Sequence, residues 1–209
     1  MKSIKRTKEV VELNKQSIDN QFESGVIGID EVGRGALAGP IVAAAVFFEK
    51  NPDIYGIKDS KKLSEKQRRC LFERIIKVSK WAACLSSVEE INKLNIREAT
   101  HLAMLRTVLK LDYSDKVILV DGNANPFNQP QLSDKTRCII GGDMKSLAIA
   151  SASIVAKVIR DEIMLLLGKE FPHYSWLKNK GYGTFEHINA IKKFGSVKYH
   201  RSLFLRKII

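Results

Sequence analysis

An apolar run that stops at an acidic residue constrains the fold of this chain most. Residues 117–120 are apolar and too few for a helix, so they predict a buried strand that delivers Asp121 to its carboxyl end. Residues 26–30 predict a second strand, which ends in the acidic pair Asp30 and Glu31. Further strands are predicted at residues 41–48, 81–88 and 136–140. A sheet that carries acids at its strand ends is therefore expected.

Helical patterns alternate with these strands. Helices are predicted at residues 6–24, 64–78, 95–110, 145–167 and 184–195, with a last helical turn near Arg201. Capping boxes open two of them, Ser64 with Gln67 and Asn95 with Glu98. The alternation predicts a mixed α/β domain with a central sheet flanked by helices. One domain over residues 1–209 is expected, with an N-terminal helical extension to about residue 24 and a small C-terminal helical portion from about residue 170.

The charge of the chain favours a polyanionic partner. Lys and Arg total 35 against 23 Asp and Glu, a formal net charge of +12, which attracts nucleic acid but also fits a solvated basic surface or anionic lipid. The longest uncharged run, residues 35–48, is too short to span a bilayer, and the N-terminus has no apolar signal region. A cytoplasmic protein without a membrane partner is expected. Three cysteines without C-x-x-C spacing indicate neither disulfides nor zinc.

Four acids form the candidate catalytic and metal-binding group: Asp30, Glu31, Asp121 and Asp143. Ligands of open α/β sheets bind at the carboxyl ends of strands, and carboxylates are the oxygen ligands that Mg²⁺ prefers. Two such ions can drive phosphodiester cleavage. Each acid alone is more often a cap, a turn residue or a salt-bridge partner, and Asp121 could form an Asx turn. Adjacent strand residues point to opposite faces, so Asp30 and Glu31 share a site only if the strand ends or bends there.

A glycine loop follows the first strand. Residues 33–38 fit G-x-G-x-x-A, but the following segment predicts a strand where a dinucleotide site needs a helix, and no Gly-Lys-Ser/Thr of a phosphate loop follows. The loop is therefore interpreted as a tight turn whose backbone can approach a ligand, with Arg34 beside it. A hairpin turn with a solvated Arg34 is the alternative.

Seven segments in order resemble ribonuclease HII, the type 2 ribonuclease H family, over residues 26 to about 204. The resemblance implies a ribonuclease H-like fold, dependence on two Mg²⁺ or Mn²⁺ ions, and cleavage 5′ to ribonucleotides in RNA/DNA hybrids and in ribonucleotide-containing duplex DNA. It also implies 3′-hydroxyl and 5′-phosphate ends. The segments are Gly28-Ile-Asp-Glu-Val-Gly-Arg-Gly35, Asp59-Ser-Lys-Lys-Leu-Ser64, Asp121-Gly-Asn123 with Pro126, Gly142-Asp143, Ala152-Ser-Ile-Val-Ala-Lys157, Gly181-Tyr-Gly-Thr184 and His200-Arg201.

Residue roles follow from the same resemblance. The four acids match the metal ligands of the family, and Gly33, Arg34 and Gly35 match the motif that recognises the ribose 2′-hydroxyl. Tyr182 matches the aromatic that packs on the sugar beside the junction; the alternative is a partly buried loop aromatic. Lys61 and Lys62 match a phosphate-contacting stretch. The four histidines lack ligand-like grouping, so none is assigned to catalysis.

Two departures and two rivals accompany the resemblance. The tail has His-Arg-Ser-Leu-Phe where a serine is expected directly before the phenylalanine, and the stretch between Asp121 and Asp143 is slightly long. A non-catalytic nucleic-acid-binding module would be better served by Asn or Lys at the four acids. A type 3 ribonuclease H is the nearer rival, which Gly33, Arg34, Gly35 and Tyr182 argue against. A monomer is expected, and a replication-clamp partner is left open because residues 203–209 show no evident clamp-binding peptide.

Overall fold

The computed structural model describes residues 17–50, 52, 54, 56, 57, 63–206 and 208. Most of the predicted N-terminal helix lies outside this range. Its described part contains a single 3-10 turn, Ile18–Gln21, and residues 22–24 are not helical, so the predicted helix does not continue to residue 24. Ser17 caps this turn, since its side chain accepts a hydrogen bond from the Asp19 amide at 3.3 Å.

The described strands form one mixed sheet, as the sequence predicts. Its order is β3-β2-β1-β4-β5. Strands β1 and β2 are antiparallel, as are β2 and β3, whereas β4 runs parallel to both β1 and β5. The carboxyl ends of β1, β4 and β5 therefore meet at one edge of the sheet. The strands are β1 (Val26–Val32), β2 (Ile41–Phe47), β3 (Lys80–Ser86), β4 (Val117–Asp121) and β5 (Thr136–Ile139).

Helices connect and cover the strands. The predicted helix after Ser64 is confirmed with its capping box, but the segment after β3 contains two helices where one was expected. Residue 88, placed in a strand from the sequence, instead begins a helix that Ser87 and Glu90 open with a second capping box. The helices are α1 (Glu65–Val78), α2 (Val88–Leu94), α3 (Ile96–Val108), α4 (Pro130–Ser133), α5 (Leu147–Glu170), α6 (Trp176–Asn179), α7 (Phe185–Phe194) and α8 (Ser202–Leu205).

Two apolar layers cover the sheet, one on each face. On one face, Ile27, Ile29 and Val120 pack with Ala103 and Met104 of α3. On the other face, the alternate residues of β2 pack with α5 and α1. Gly28 permits the close approach of α5: a Cβ there would lie 2.2 Å from the backbone carbon of Ala148. Successive residues of β1 therefore face different helices.

The C-terminal helices form a separate apolar cluster against the end of α5. Trp176, Ile191 and Leu205 are buried there with Met164 of α5. Isolated backbone bridges join this part to the loop after β1, at Ala36 with Tyr182 and at Ala38 with His200. Within the described residues, no helix is both long and apolar enough to cross a bilayer.

Candidate active site at the carboxyl edge of the sheet

Asp30 and Asp121 lie side by side at this edge. The parallel pairing of β1 with β4 runs to Ile29 opposite Val120, and these two acids are the next residues on each strand. Asp30 is buried, with 8% of its surface exposed. Its Oδ1 accepts a hydrogen bond from the Glu31 amide at 2.7 Å, and Ser153 of α5 also hydrogen-bonds its side chain. The sheet register therefore brings two of the predicted acids together.

Glu31 approaches the same point from the other face of β1. It remains in the strand, paired opposite Ala43, while Asp30 is opposite Ala44. Glu31 and Asp121 both line a cavity of about 340 Å³ together with Arg34 and His101. The strand therefore continues past Asp30 in unbroken register, in contrast to an end of the strand at this residue. The two acids flank Asp121 from opposite faces of β1.

Burial and mutual repulsion destabilise the charged forms of the two β1 acids. Burial raises the pKa of Asp30 well above its usual value, and the charges of Glu31 and Asp121 raise it further. The pKa of Glu31 is also raised, mainly by burial and partly by Asp121, although Arg34 opposes the shift. Arg34 makes an ion pair with Glu31 at 3.2 Å while 56% of its side chain stays exposed. The acids thus concentrate negative charge at this edge of the sheet, and a bound cation would stabilise their charged forms.

Asp143 follows the residue that fixes Asp121. The Gly142 amide donates a 2.8 Å hydrogen bond to Asp121 Oδ1, and both Gly142 and the half-buried Asp143 belong to the 3-10 turn Gly142–Met144. A Cβ at Gly142 would lie 2.6 Å from Ile149 Cδ1, so only glycine fits this approach to α5 without rearrangement. The turn therefore places the backbone of Asp143 one residue from the amide that hydrogen-bonds Asp121.

The donor set suits a hard divalent cation. Carboxylate oxygens are the ligands of Mg²⁺ and Mn²⁺, and a cation among these side chains would relieve the repulsion that raises the pKa values of Asp30 and Glu31. In the part of the chain that the structure describes, no three His, Cys, Asp or Glu side chains are arranged as a group that could hold a metal ion. The chemistry of the donors, rather than a preformed cage, is what fits a metal.

The glycine loop lies beside the acids and depends on its first glycine. Gly33 has φ of +99°, and a Cβ there would lie 2.2 Å from Nε of Arg160. Gly35 has no positive φ and would place a Cβ in open space. The loop thus requires glycine at residue 33 for its conformation, whereas Gly35 leaves its backbone open to a ligand.

Two buried arginines, Arg160 and Arg201, hold this loop through hydrogen bonds to its carbonyl oxygens. The sequence alone assigned a role to neither. Both are 0% exposed. Arg160 donates to the carbonyl oxygens of Ala38, Pro40 and Lys180, each at 3.0 Å. The donors of Arg201 reach the carbonyl oxygens of Arg34, Gly39 and Pro40 at 2.8 to 3.2 Å. Burial lowers the pKa of both guanidinium groups. The one sequence signal for Arg160 was its position within the most apolar helix.

Tyr182 lies next to the glycine loop. The carbonyl of its neighbour Gly181 accepts hydrogen bonds from the amides of Leu37 and Ala38 at 2.8 and 3.2 Å. The ring of Tyr182 is half-buried and stacks over the guanidinium of Arg160, 5.3 Å from its centroid. The structure therefore brings Tyr182 and the glycine motif together, although 147 or more residues of sequence separate them.

The other basic candidates have different positions. Lys61 and Lys62 lie outside the described residues. Lys145 donates to the Ile140 carbonyl oxygen at 2.8 Å, and Ser146 caps α5 through a 3.1 Å hydrogen bond from the Ile149 amide. Lys157 donates to Asp161 at 2.7 Å, an ion pair between successive turns of α5.

Solved structures share this architecture. Ribonuclease H2 from Pyrococcus horikoshii OT3 is similar with a TM-score of 0.73 and 25% identity, covering 88% of this chain and 96% of that one. The ribonuclease HII of a PCNA complex from Archaeoglobus fulgidus has a TM-score of 0.70 and 25% identity, covering 85% and 93%. Bst-RNase HIII in complex with Mn²⁺ shares the fold at a TM-score of 0.68 and 22% identity, covering 81% and 62%. Fold and site together define a ribonuclease H-like nuclease.

Sequence relatives narrow this class to one family. The model for ribonuclease HII matches residues 27–207. A ribonuclease HII from Rickettsia bellii (strain OSU 85-389) is 52% identical over 182 residues, 87% of this chain and 90% of the relative. One from Wolbachia sp. subsp. Drosophila simulans (strain wRi) is 47% identical over 189 residues, 90% and 93% of the two chains. The chain belongs to the ribonuclease HII family, and it is a ribonuclease H hydrolase.

Proposed function

We propose that this enzyme cuts the phosphodiester bond on the 5′ side of a ribonucleotide. Its substrates would be RNA/DNA hybrids and DNA duplexes with embedded ribonucleotides, and its products would carry 3′-hydroxyl and 5′-phosphate ends. The observation that carries the proposal is the juxtaposition of the buried Asp30 and the half-buried Glu31 and Asp121 with the glycine loop. The acids proposed to hold the metal ions, and a backbone segment able to approach a ribose, lie at one edge of the sheet.

In this proposal the acids Asp30, Glu31, Asp121 and Asp143 would hold two divalent ions, Mg²⁺ or Mn²⁺, which would supply Lewis acidity for phosphodiester hydrolysis. The protein contributes a fixed arrangement of oxygens. The Gly142 amide orients Asp121, and the Glu31 amide with Ser153 orients Asp30. Positioning of this kind limits the reorganisation needed when substrate binds. Bst-RNase HIII in its Mn²⁺ complex has the same fold.

The substrate is recognised by the loop and by Tyr182. The backbone of Gly33, Arg34 and Gly35 would contact the ribose 2′-hydroxyl, the group that distinguishes RNA from DNA. Tyr182 would pack on the neighbouring deoxyribose, since its ring lies beside this loop over Arg160. Lys61 and Lys62 would contact phosphates, and the net charge of +12 would draw the duplex to the protein. The type 3 alternative is less favoured because the family model for ribonuclease HII matches residues 27–207.

The expectations about partner and compartment remain predictions. The Archaeoglobus relative was solved as a complex with PCNA, and for this chain a clamp partner stays open. A monomer that works in the cytoplasm is proposed; Cys70, Cys84 and Cys138 are free thiols, as a reducing compartment would keep them.

The test is cleavage of a duplex that carries one ribonucleotide, with that strand labelled at its 5′ end. We expect Mg²⁺-dependent nicking directly 5′ to the ribonucleotide, with no product from an all-DNA duplex. Asp121→Asn should abolish the nick, because it removes the charge but keeps an oxygen for the Gly142 amide. The exposed Asp134 provides the control variant Asp134→Asn, which should cut normally. Duplex binding without a nick, in Mg²⁺ and in Mn²⁺, would overturn the proposal.

A further inference from the structure

Two histidines meet inside the C-terminal helices, away from the acids. His187 belongs to α7 and His200 lies just before α8, and both are buried, at 0% and 4% exposure. Their Nε2 atoms are 3.1 Å apart. The indole Nε1 of Trp176 donates to Nε2 of His187 at 2.9 Å. The mechanism proposed above gives neither ring a role.

Backbone partners determine which nitrogen of each ring carries the proton. The Val197 amide donates to Nδ1 of His200 at 3.0 Å, so Nδ1 has no proton and Nε2 of the neutral ring has one. Nδ1 of His187 faces the carbonyl oxygen of Tyr182 at 2.9 Å and must therefore be the protonated nitrogen. The N–H groups of Trp176 and His200 then share the single lone pair on Nε2 of His187. The hydrogen bonds run in one direction, from Val197 through both rings to Tyr182.

The buried environment keeps both rings neutral. Burial lowers the pKa of His200 to about 4, assisted by His187. Burial also lowers the pKa of His187. A second proton on His200 would point at the Val197 amide, and one on His187 would point at two other N–H groups. Only one arrangement of protons therefore satisfies every member of the chain of hydrogen bonds.

The chain ends on the backbone of the residue that flanks the glycine loop. The carbonyl oxygen of Tyr182 also accepts from the Thr184 amide at 2.9 Å, and the Tyr182 amide donates to the Asn179 carbonyl oxygen at 2.9 Å. The loop segment at Ala38 forms bridges with the His200 segment and hydrogen bonds with Gly181. The histidine pair thus links the two segments that hold the loop between them.

We propose that His187 and His200 are positioning residues that set the orientation of Tyr182 beside the glycine loop, and so the preference of the enzyme for an RNA–DNA junction. The inference rests on the role proposed above for Tyr182. Neither imidazole contacts the substrate: His187 acts through its hydrogen bond to the Tyr182 carbonyl, and His200 acts through His187. The indole of Trp176 supplies a second donor that keeps Nε2 of His187 an acceptor.

The first experiment records the tautomers of the full chain at neutral pH, using ¹⁵N-labelled histidine and long-range ¹⁵N–¹H correlation spectra. We expect His187 as the Nδ1–H form and His200 as the Nε2–H form. His187→Asn and His200→Asn assign the two signals. The opposite tautomer for either ring, or a cationic ring at neutral pH, would overturn the hydrogen-bonded relay without any reference to activity.

The second experiment compares two variants of similar shape, His187→Asn and His187→Leu. Asparagine keeps an N–H close to the position of Nδ1, whereas leucine does not. The readout is the ratio of kcat/KM on a single-ribonucleotide DNA duplex to kcat/KM on a uniform RNA/DNA hybrid. We expect leucine to lower this ratio by at least about tenfold, the low end of the effect of losing an orienting partner. Asparagine should stay within about threefold of the wild type.

Tyr182→Ala distinguishes the role proposed for Tyr182 from the positioning role of the two histidines. If it leaves the ratio unchanged, the role proposed for Tyr182 fails. If it lowers the ratio while a folded His187→Leu does not, the positioning role of the histidines fails. Should leucine prevent folding, His200→Gln and His200→Met give the same comparison, because only glutamine keeps an N–H close to the position of Nε2.

Discussion

The guanidinium groups of Arg160 and Arg201 both donate to the carbonyl oxygen of Pro40, at 3.0 and 3.2 Å. Arg160 lies on α5, whereas Arg201 immediately precedes α8. Two distant parts of the chain therefore fix a single point of the segment that follows the glycine loop. Their remaining donors satisfy the carbonyl oxygens of Arg34, Ala38 and Gly39, which precede Pro40, and that of Lys180. The position of the loop against the acids consequently depends on the C-terminal helices.

Arg201→Lys is expected to destabilise the protein although it preserves the charge. A lysine cannot reach the carbonyl oxygens of Arg34, Gly39 and Pro40 together, so buried acceptors lose their donors. We expect the free energy of unfolding to fall by about 2 to 3 kcal/mol, measured by urea denaturation. Arg206→Lys, at an exposed residue of the same segment, should change it by less than about 0.5 kcal/mol. Equal free energies of unfolding for the two variants would contradict the role of Arg201 in holding the loop segment.

Gly33→Ala should destabilise the loop, and Gly35→Ala should not. At Gly33 the new methyl group would meet Nε of Arg160 at 2.2 Å, in a backbone conformation with φ of +99°. The expected loss is about 2 kcal/mol or more in the free energy of unfolding. At Gly35 a methyl group meets nothing within 4 Å, so thermal unfolding should match the wild type. A stable Gly33→Ala protein would show that the loop can relax away from Arg160.

The positions of the acids were predictable from the sequence, but the way in which they meet was not. Asp121 ends an apolar run, and this pattern alone places it at a strand end. The positions of Asp30 and Glu31 relative to Asp121 depended on sheet register. Strand β1 does not end at these two acids but continues to Val32 opposite β2. Register between strands distant in sequence leaves no local signal. Alternation along β1 indicated that its two acids point to opposite faces, but it could not reveal that the charge of Asp121 acts on both of them.

The supports of the site were less predictable still. The capping box of Ser87 and Glu90 was visible in the sequence, yet the apolar pattern before it led to a strand prediction through residue 88. Arg160 gave only its position within an apolar helix, and His200 appeared only in the motif His200-Arg201, without an assigned role. Their roles depend on hydrogen bonds to backbone 120 or 122 residues away for Arg160, and on a ring from another helix for His200.

Acid should destabilise the protein through His200. Its pKa in the folded state is about 4, below the usual 6.5, so the unfolded chain binds this proton first as pH falls. Stability is complete above pH 6.5 and is lost as pH falls towards 4, by at most about 3 kcal/mol, at about 1.4 kcal/mol per pKa unit. Urea denaturation from pH 7 to 4.5 should therefore show a smaller decline for His200→Gln. The exposed His173 supplies the control His173→Gln, which should keep the wild-type decline.

Asp30→Asn should stabilise the metal-free protein while it abolishes cleavage. Burial, Glu31 and Asp121 raise the pKa of Asp30 in the folded state. The wild type therefore loses stability as pH rises and the folded protein has to ionise this carboxyl group. Asparagine removes the charge but keeps an oxygen for the Glu31 amide. At pH 7.5 with EDTA, the free energy of unfolding should rise by roughly 1 kcal/mol, a common size for one substitution.

The same variant distinguishes a metal site from a structural acid cluster. Mg²⁺ should raise the thermal unfolding temperature of the wild type, since an ion that binds only the folded state stabilises it. That increase should shrink or vanish in Asp30→Asn, whereas the exposed Asp134→Asn should retain it. If Asp30→Asn were less stable than the wild type in EDTA, the carboxylate would be a net stabilising group. The repulsion among Asp30, Glu31 and Asp121 would then no longer argue for a cation between them.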